Sequence, residues 1–305
     1  MSIVSVMIRL LFVLLGTSLL LAPVRAQGPD PALSRALQTV YLQWRTAMIQ
    51  KNLAGWRAVT ASHRQIAIRN RILSERRNFV ATLFNLPVAP PDTRKLKLLD
   101  IKVKGVTANA YFFGPVDFGV EGAQPPDNLL VLSFAQERGG WKYDTADYVN
   151  LAAIPNARKE LAAGRLTALD RPEFAPKGEV ERPMVALRGP AKYITKVYVY
   201  CPGREVQVSV NKVSRHLFQN AKEAEIVIGG AKDGRNELQF GIKTLPGGQD
   251  SEPMTIRIYL LSEVQGVKPI KIFQYQVEEK GKVKPYGTEF FNVTPDIVKR
   301  LRGGR

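Results

Sequence analysis

Few residues in this chain could do nucleophilic or metal chemistry. It has two histidines, His63 and His216, and one cysteine, Cys201. The histidines fall in different predicted halves of the chain, and no pair of His or Cys residues stands at metal-ligand spacing. We therefore expect no metal and no cofactor, and we interpret both histidines and the thiol as structural residues.

Two serines and three aspartates are the remaining candidates for a site. Ser62 and Ser214 are near the histidines in sequence, but neither lies in a nucleophile-elbow motif, so no triad is indicated. Asp100, Asp144 and Asp147 lie on predicted strands. Asp144 and Asp147 are an odd number of residues apart, so on one regular strand they face opposite sides of the sheet and cannot act as a pair. We therefore predict no catalytic residue.

Arginines are concentrated in one stretch, in which Glu75 is the only acid. The cluster consists of Arg57, Arg64, Arg69, Arg71, Arg76 and Arg77. Arg57, Arg64 and Arg71 are spaced by seven and would share a face of one continuous helix. Because guanidinium groups bind phosphate or carboxylate in a bidentate manner, the cluster suggests an anion-binding surface. A solvated helix face is the alternative.

The first 26 residues have the three regions of a bacterial-type secretory signal peptide. Arg9 precedes the apolar run Leu10–Leu15, and Val24-Arg25-Ala26 supplies a cleavage site before Gln27. We expect export to the periplasm or beyond, with no later membrane span; an uncleaved anchor is the alternative.

The formal net charge of +17 favours anionic partners. Given export, these are envelope lipids or acidic polymers, and no nucleic acid is expected.

Helical periodicity comes first along the chain. Asp30 and Pro31 have the residue types of an N-cap and first helical position, and the apolar stripe that follows predicts a helix ending near Asn52. A second helical stretch covers about 53–60, and 62–84 is less regular. Beyond the prolines at 87–91 the period changes to two, which predicts antiparallel strands near 99–103, 106–113, 128–136 and 141–149. Helices followed by strands indicate an α+β fold.

The element order here resembles that of the nuclear transport factor two-like (cone-fold) superfamily. The resemblance rests on a helix pair containing Trp44 and Trp56 and on the hairpin residues Gly139-Gly140-Trp141-Lys142-Tyr143, and it covers about 28–150. It implies helices packed on a curved antiparallel sheet. A small apolar ligand could lie between them, or the rings could simply fill the core. The aromatic residues of that hypothesis are Trp44, Trp56, Tyr111, Phe113 and Phe134.

The C-terminal half alternates with period two almost throughout. Predicted strands near 184–188, 193–201, 205–210, 224–228, 236–244, 254–261, 270–278 and 289–293 are separated by Gly-rich turns, which is typical of an immunoglobulin-like or jelly-roll β-sandwich. We therefore predict a signal peptide at 1–26, a cone-like domain at 27–150, a linker with a short helix at 151–182, a β-sandwich at 183–295 and a frayed basic tail at 296–305.

Together these patterns favour an exported, non-catalytic binding or assembly protein of the cell envelope. Its partner would be an envelope protein or an anionic polymer or lipid. Two alternatives stay open: an enzyme of the cone superfamily with a pocket carboxylate such as Asp100 or Asp147, and a protein whose main role is to bind an anionic envelope polymer or lipid.

Overall fold

The computed structural model describes residues 30–117, 125–180, 185–249 and 251–304, so the predicted signal peptide lies outside the described residues. The described chain is α+β, with six helices and three four-stranded antiparallel sheets. The helices are α1 Pro31–Ile49, α2 Leu53–Val59, α3 Ser62–Ser74, α4 Phe79–Leu83, α5 Pro155–Ala162 and α6 Pro295–Leu301. The strands are β1 Lys97–Lys104, β2 Thr107–Pro115, β3 Asp127–Glu137, β4 Gly140–Asn150, β5 Ile194–Tyr200, β6 Arg204–Val210, β7 Ser214–Gln219, β8 Lys222–Ile226, β9 Gly234–Thr244, β10 Met254–Leu261, β11 Ile270–Val277 and β12 Tyr286–Val293.

The first sheet is a meander in the order β1-β2-β3-β4. On one face, Leu37 and Tyr41 of α1 pack on Phe112, Leu132 and other alternate residues of β2, β3 and β4. The α1 helix begins as the sequence predicts, because the Asp30 side chain accepts a hydrogen bond from the Ala32 amide (2.9 Å) and Pro31 occupies the first turn. The helices therefore lie against one side of this sheet.

Residues 151–174 cover the other face of the first sheet. Leu161 of α5, together with Leu151 and Leu169, is buried against Tyr111 and Val131 of β2 and β3. The segment predicted as a linker thus completes a second hydrophobic core. The first sheet is therefore buried on both sides.

The second and third sheets, in the orders β11-β10-β5-β8 and β12-β9-β6-β7, share one hydrophobic core. Alternate residues point inward, so that Val197 and Ile256 from one sheet and Val208 and Leu238 from the other are buried together. Cys201 is fully buried in the same core. Burial raises the pKa of its thiol, which disfavours the thiolate that a nucleophile needs.

Several predicted elements differ from those observed. The described part of the predicted strand 184–188 has no strand conformation, and β7 was not predicted. The less regular stretch 62–84 forms two helices: α3 ends at Ser74, and the side chain of Asn78 caps the short α4. The C-terminal residues are not frayed up to Leu301, because Thr294 caps α6 and Leu301 is buried in the shared core.

The two halves of the chain meet along the second half of α3. Asn70 is fully buried; its Nδ2 donates to the Val185 carbonyl (2.9 Å) and its Oδ1 accepts from the Leu187 amide (2.9 Å). One turn further on, Ser74 Oγ accepts from the Gly229 amide (2.9 Å). We call this contact, made by residues 69–76 on one side, the joint.

Candidate functional site

A polar cavity of about 310 Å³ lies on the side of the first sheet opposite α1. Its floor is formed by alternate residues of β2, β3 and β4, one wall by the start of α3, and the other wall by residues 173–180, which we call the strap. The lining side chains that carry charge or can take part in proton transfer are His63, Arg64, Asp144, Asp147, Glu173, Lys177 and Glu179.

His63 and Asp144 form the central pair of this cavity. His63 Nε2 lies 3.0 Å from Asp144 Oδ1, and the two side chains are 14% and 25% exposed. A carboxylate at this distance orients the imidazole and stabilises its protonated form. The pair is half-buried and open to the cavity on the side that a ligand would occupy.

A β-bulge brings the two aspartates of β4 to the same cavity. Thr145 pairs with Ser133 and Tyr143 pairs with Phe134, so Asp144 is an extra residue without a partner on β3. The bulge changes the alternation of β4, and both Asp144 and Asp147 line the cavity. The argument that an odd spacing places them on opposite sides is therefore wrong, because it assumed a regular strand.

Contacts just before α3 fix the position of His63. The Ala61 amide donates to the Tyr143 carbonyl (2.8 Å), directly before the bulge. Both the amide and the hydroxyl of Ser62 donate to the Glu137 carboxylate (2.7 and 2.9 Å). Glu137 thus caps α3 from another element, and a carboxylate is favourable at a helix N-terminus. Ser62 has this capping role and does not face His63 as a nucleophile.

The strap is tied to the sheet at two points. The Phe174 carbonyl accepts hydrogen bonds from Asn109 Nδ2 (3.1 Å) and from the Tyr111 hydroxyl. Burial raises the pKa of Tyr111 to about 12, so the phenol keeps its proton and remains a donor. Four residues further on, the Gly178 amide donates to Thr107 Oγ1 (2.8 Å) and its carbonyl accepts from the Val106 amide (2.9 Å).

The second histidine belongs to a buried network in the C-terminal half. His216 Nε2 lies 2.7 Å from Ser214 Oγ, and His216 Nδ1 lies 2.6 Å from Glu225 Oε2. Ser214 is fully buried, and its hydroxyl also accepts from the Ile228 amide (2.8 Å). The order of groups is that of a Ser-His-acid triad, but a substrate cannot reach the hydroxyl. The network instead connects β7 of one sheet to β8 of the other.

The other predicted site residues lie apart from the cavity or only partly in it. Asp100 is on β1, at the opposite edge of the sheet, where its carboxylate accepts from the Ile101 amide (2.8 Å). The five aromatic residues do not share one pocket, because they belong to three separate clusters on both faces of the sheet. Trp44 lies between two of these clusters, Trp56 is in one of them, Tyr111 and Phe113 are in another, and Phe134 is in the cluster under α1 and also lines the cavity.

The arginine cluster is divided between several tasks. Because α2 and α3 are separate helices, Arg57 and Arg71 do not share a helical face. Arg69 donates to the Leu187 carbonyl (2.5 Å), and Arg76 donates to the Ala191 and Lys192 carbonyls (both 3.0 Å) and pairs with Glu263 (2.7 Å).

Three arginines of this set lie away from the joint contacts. Arg64 lines the cavity, and Arg71 and Arg77 lie 3.5 Å from Glu75. Half of the cluster therefore serves the joint and the cavity.

Comparisons with known proteins leave the site to be interpreted from its geometry. No protein-family model, curated protein or solved structure matches the chain. Among the described residues, no group of three His, Cys, Asp or Glu side chains is arranged to hold a metal ion. In the same described part of the chain, every helix is too short or too polar to cross a bilayer.

Proposed function

We propose that the first half of the protein is a cone-like unit of the nuclear transport factor two-like type and that β5–β12 form a β-sandwich. Helices packed on one face of a four-stranded meander support the first assignment. One hydrophobic core between two antiparallel sheets supports the second. The signal-like N-terminus supports export, and we retain a periplasmic or secreted location in this proposal.

Within this architecture, we propose that the cavity is an acid–base site for a small polar molecule. The observation that carries the proposal is the half-buried His63–Asp144 pair, 3.0 Å apart, with Asp147 in the same cavity. Perturbed or paired ionisable groups in a cleft are the usual mark of such a site.

The chemistry of this arrangement is proton transfer. His63 takes a proton from the bound molecule while Asp144 orients the imidazole and stabilises its charged form. Asp147, Glu173 and Glu179 add negative charge to the lining, against Arg64 and Lys177. Because the lining carries more acids than bases, it favours a neutral or cationic ligand that donates hydrogen bonds.

Non-catalytic binding is the second candidate function, and the strap favours it. The segment is hydrogen-bonded to the sheet at Phe174 and at Gly178, so it holds the second wall of the cavity in place. A ligand retained behind this wall need not react. This second candidate agrees with the prediction of an exported binding protein, but it places the ligand in the polar cavity and not among the aromatic residues.

The two histidines allow a direct test. Molecules that co-purify with the mature protein are identified by mass spectrometry and added back to the emptied protein, while the imidazole carbon–proton resonances are recorded by NMR. We expect the His63 signals to shift on binding, because His63 lines the cavity, and the His216 signals to stay unchanged. The same samples show whether the bound molecule is converted or only bound.

Matched aspartate variants separate catalysis from binding. We expect Asp144→Asn to slow conversion about 100-fold or more, the usual range for loss of general acid–base assistance, while binding is retained. Asp100→Asn makes the same chemical change at the far edge of the sheet and should leave conversion unchanged. Equal conversion rates in wild type, Asp144→Asn and His63→Gln would exclude the acid–base role. Binding at His63 without conversion would establish the second candidate.

A further inference from the structure

The outer face of the β11-β10-β5-β8 sheet combines tyrosines with positive charge. Alternate residues of these strands point away from the shared core, since Val197, Val199, Ile256 and Ile258 are buried inside it. We call the outward side the tyrosine face. Its outward residues are Ile194, Lys196, Tyr198, Tyr200, Lys222, Ala224, Ile226, Thr255, Arg257, Tyr259, Leu261, Lys271, Gln274 and Gln276.

Strand register places cations and tyrosines side by side on this face. Arg257 of β10 pairs with Tyr198 of β5, and its guanidinium carbon lies 5.8 Å from the centre of that ring. On the next row, Tyr259 stands between Lys196 and Lys271. Directly opposite residues of neighbouring strands have Cβ atoms about 5 Å apart, so these side chains form one continuous surface.

The strand residues of the tyrosine face carry charge of a single sign, and Glu278, directly after β11 and bonded to Gln276, is an acid at its margin. Lys196, Lys222, Arg257 and Lys271 point outward, and none of the outward residues of the four described strands is Asp or Glu. Glu225 of β8 points to the other side, where it binds His216.

The other outer face of this half provides a contrast. On the β12-β9-β6-β7 sheet the outward positions mix Arg215, Arg235 and Lys243 with Glu205 and Glu237. Charge complementarity therefore selects an anionic ligand for the tyrosine face and not for its counterpart.

Arg257 lies in the middle of this face, between Gln274 of β11 and Tyr198 of β5. Its Nε is covered by protein atoms, which leaves the two terminal nitrogens of the guanidinium group to face a ligand. These two nitrogens can bind a carboxylate as a planar fork. The amides of Gln274 and Gln276 are held by hydrogen bonds in series with Lys271 and Glu278, so the β11 side of the face is also ordered.

We propose that the tyrosine face binds an extended acidic polysaccharide. The four strands of this face span about 14 Å from the first strand to the last. A flat surface of this width can support an extended polymer chain, whereas it has no walls that would enclose a small molecule. The carboxylates of such a polymer would pair with Arg257 and the lysines, and its hydroxyls would meet the tyrosine hydroxyls. Nucleic acid is disfavoured, because the Arg257 guanidinium lies over the Tyr198 ring and so limits stacking of a base on it.

The test measures the affinity of the mature protein for polygalacturonate, a linear polymer of uronic acids, by affinity electrophoresis and calorimetry. We expect binding that weakens as salt is added, and no retardation by neutral dextran. Lys196→Gln/Lys271→Gln should weaken binding at least tenfold. The matched control, Arg215→Gln/Lys243→Gln, removes the same charge from the opposite outer face and should change affinity less than twofold.

Arg257→Lys tests the geometry separately from the charge. This substitution keeps the positive charge but removes the planar pair of N–H donors. We expect at least a threefold loss of affinity in a variant whose circular dichroism and melting temperature match those of the wild type. Equal losses in the two double variants would overturn the proposal, because binding would then follow net charge alone. Tighter binding to single-stranded DNA or to anionic lipid vesicles than to polygalacturonate at equal salt would also overturn it.

Discussion

The side chains of Ser214, His216 and Glu225 form a hydrogen-bonded series between the edges of two sheets. Ser214 and His216 belong to β7, and Glu225 belongs to β8 of the facing sheet. His216 Nδ1 is hydrogen-bonded to Glu225, Nε2 is hydrogen-bonded to the Ser214 hydroxyl, and this hydroxyl also accepts from the Ile228 amide. Every polar group of the series is then satisfied, as buried polar groups need to be.

This series predicts a stability effect at Ser214. Ser214→Ala leaves His216 Nε2 and the Ile228 amide buried without a partner, so we expect a loss of about 1–3 kcal/mol in the free energy of unfolding. The measurement is guanidinium unfolding followed by circular dichroism. Ser209→Ala, on the outward side of β6 in the same sheet, is the control and should stay within about 0.5 kcal/mol of wild type. A Ser214→Ala variant as stable as the control would show that the network contributes nothing.

Single residues also mark the limit of prediction from sequence. Asp30 as N-cap and Pro31 as the first helical residue were predicted correctly, because both effects are local to the chain. The pairing of His63 with Asp144 could not be predicted, because it depends on contacts made across 81 positions of sequence and on a bulge. Tyr143, Asp144 and Thr145 are ordinary strand residues, and nothing in their types signals that one of them is unpaired.

The strap depends on close contact between two glycines. Gly105 has φ +51°, and a Cβ there would lie 2.1 Å from the Gly178 carbonyl oxygen. The turn between β1 and β2 therefore accepts only glycine for two separate reasons, its backbone conformation and the space that the strap occupies. This contact holds the second wall of the cavity against the sheet.

Replacement of Gly105 should release the strap. We expect Gly105→Ala to loosen the strap backbone around Lys177, so that tryptic cleavage after Lys177 becomes at least tenfold faster, as measured by mass spectrometry of timed digests. Gly140→Ala is the matched control: Gly140 also has positive φ (+101°), but a Cβ there meets nothing within 4 Å. If both variants are cleaved at the wild-type rate, the strap is held by its other hydrogen bonds alone.

At the scale of elements, the sequence pattern predicted the strands better than the segments between them. The existence and approximate bounds of the strands of the first sheet and of most strands after residue 190 were predicted correctly. Several of the later strands alternate in burial, whereas β2 and β3 are buried on both faces. Residues 151–174 were predicted as a linker because they have no sustained period. Leu151, Leu161 and Leu169 nevertheless anchor them to the sheet, and isolated leucines of this kind give no periodic signal.

The whole molecule is joined through α3. Its first turn carries His63 to the cavity, and its last turns carry Asn70 and Ser74 to the joint. Half of the arginine cluster that suggested an anion-binding surface is committed along this helix, because Arg69 and Arg76 bind main-chain carbonyls of residues 187–192 and Arg64 lines the cavity. One rigid helix therefore belongs to the functional cavity of one half and to the contact with the other.

This arrangement predicts that the two halves unfold together and that changes in the joint separate them. Asn70→Ala/Ser74→Ala removes the side chains that bind Val185, Leu187 and Gly229, which loses three part-buried hydrogen bonds worth about 0.5–1.5 kcal/mol each. We expect one calorimetric transition for wild type and two for the double variant. Arg71→Ala, in the same helix but 71% exposed at its side chain, should keep the single transition. Two transitions in wild type would show that the halves are independent despite the shared helix.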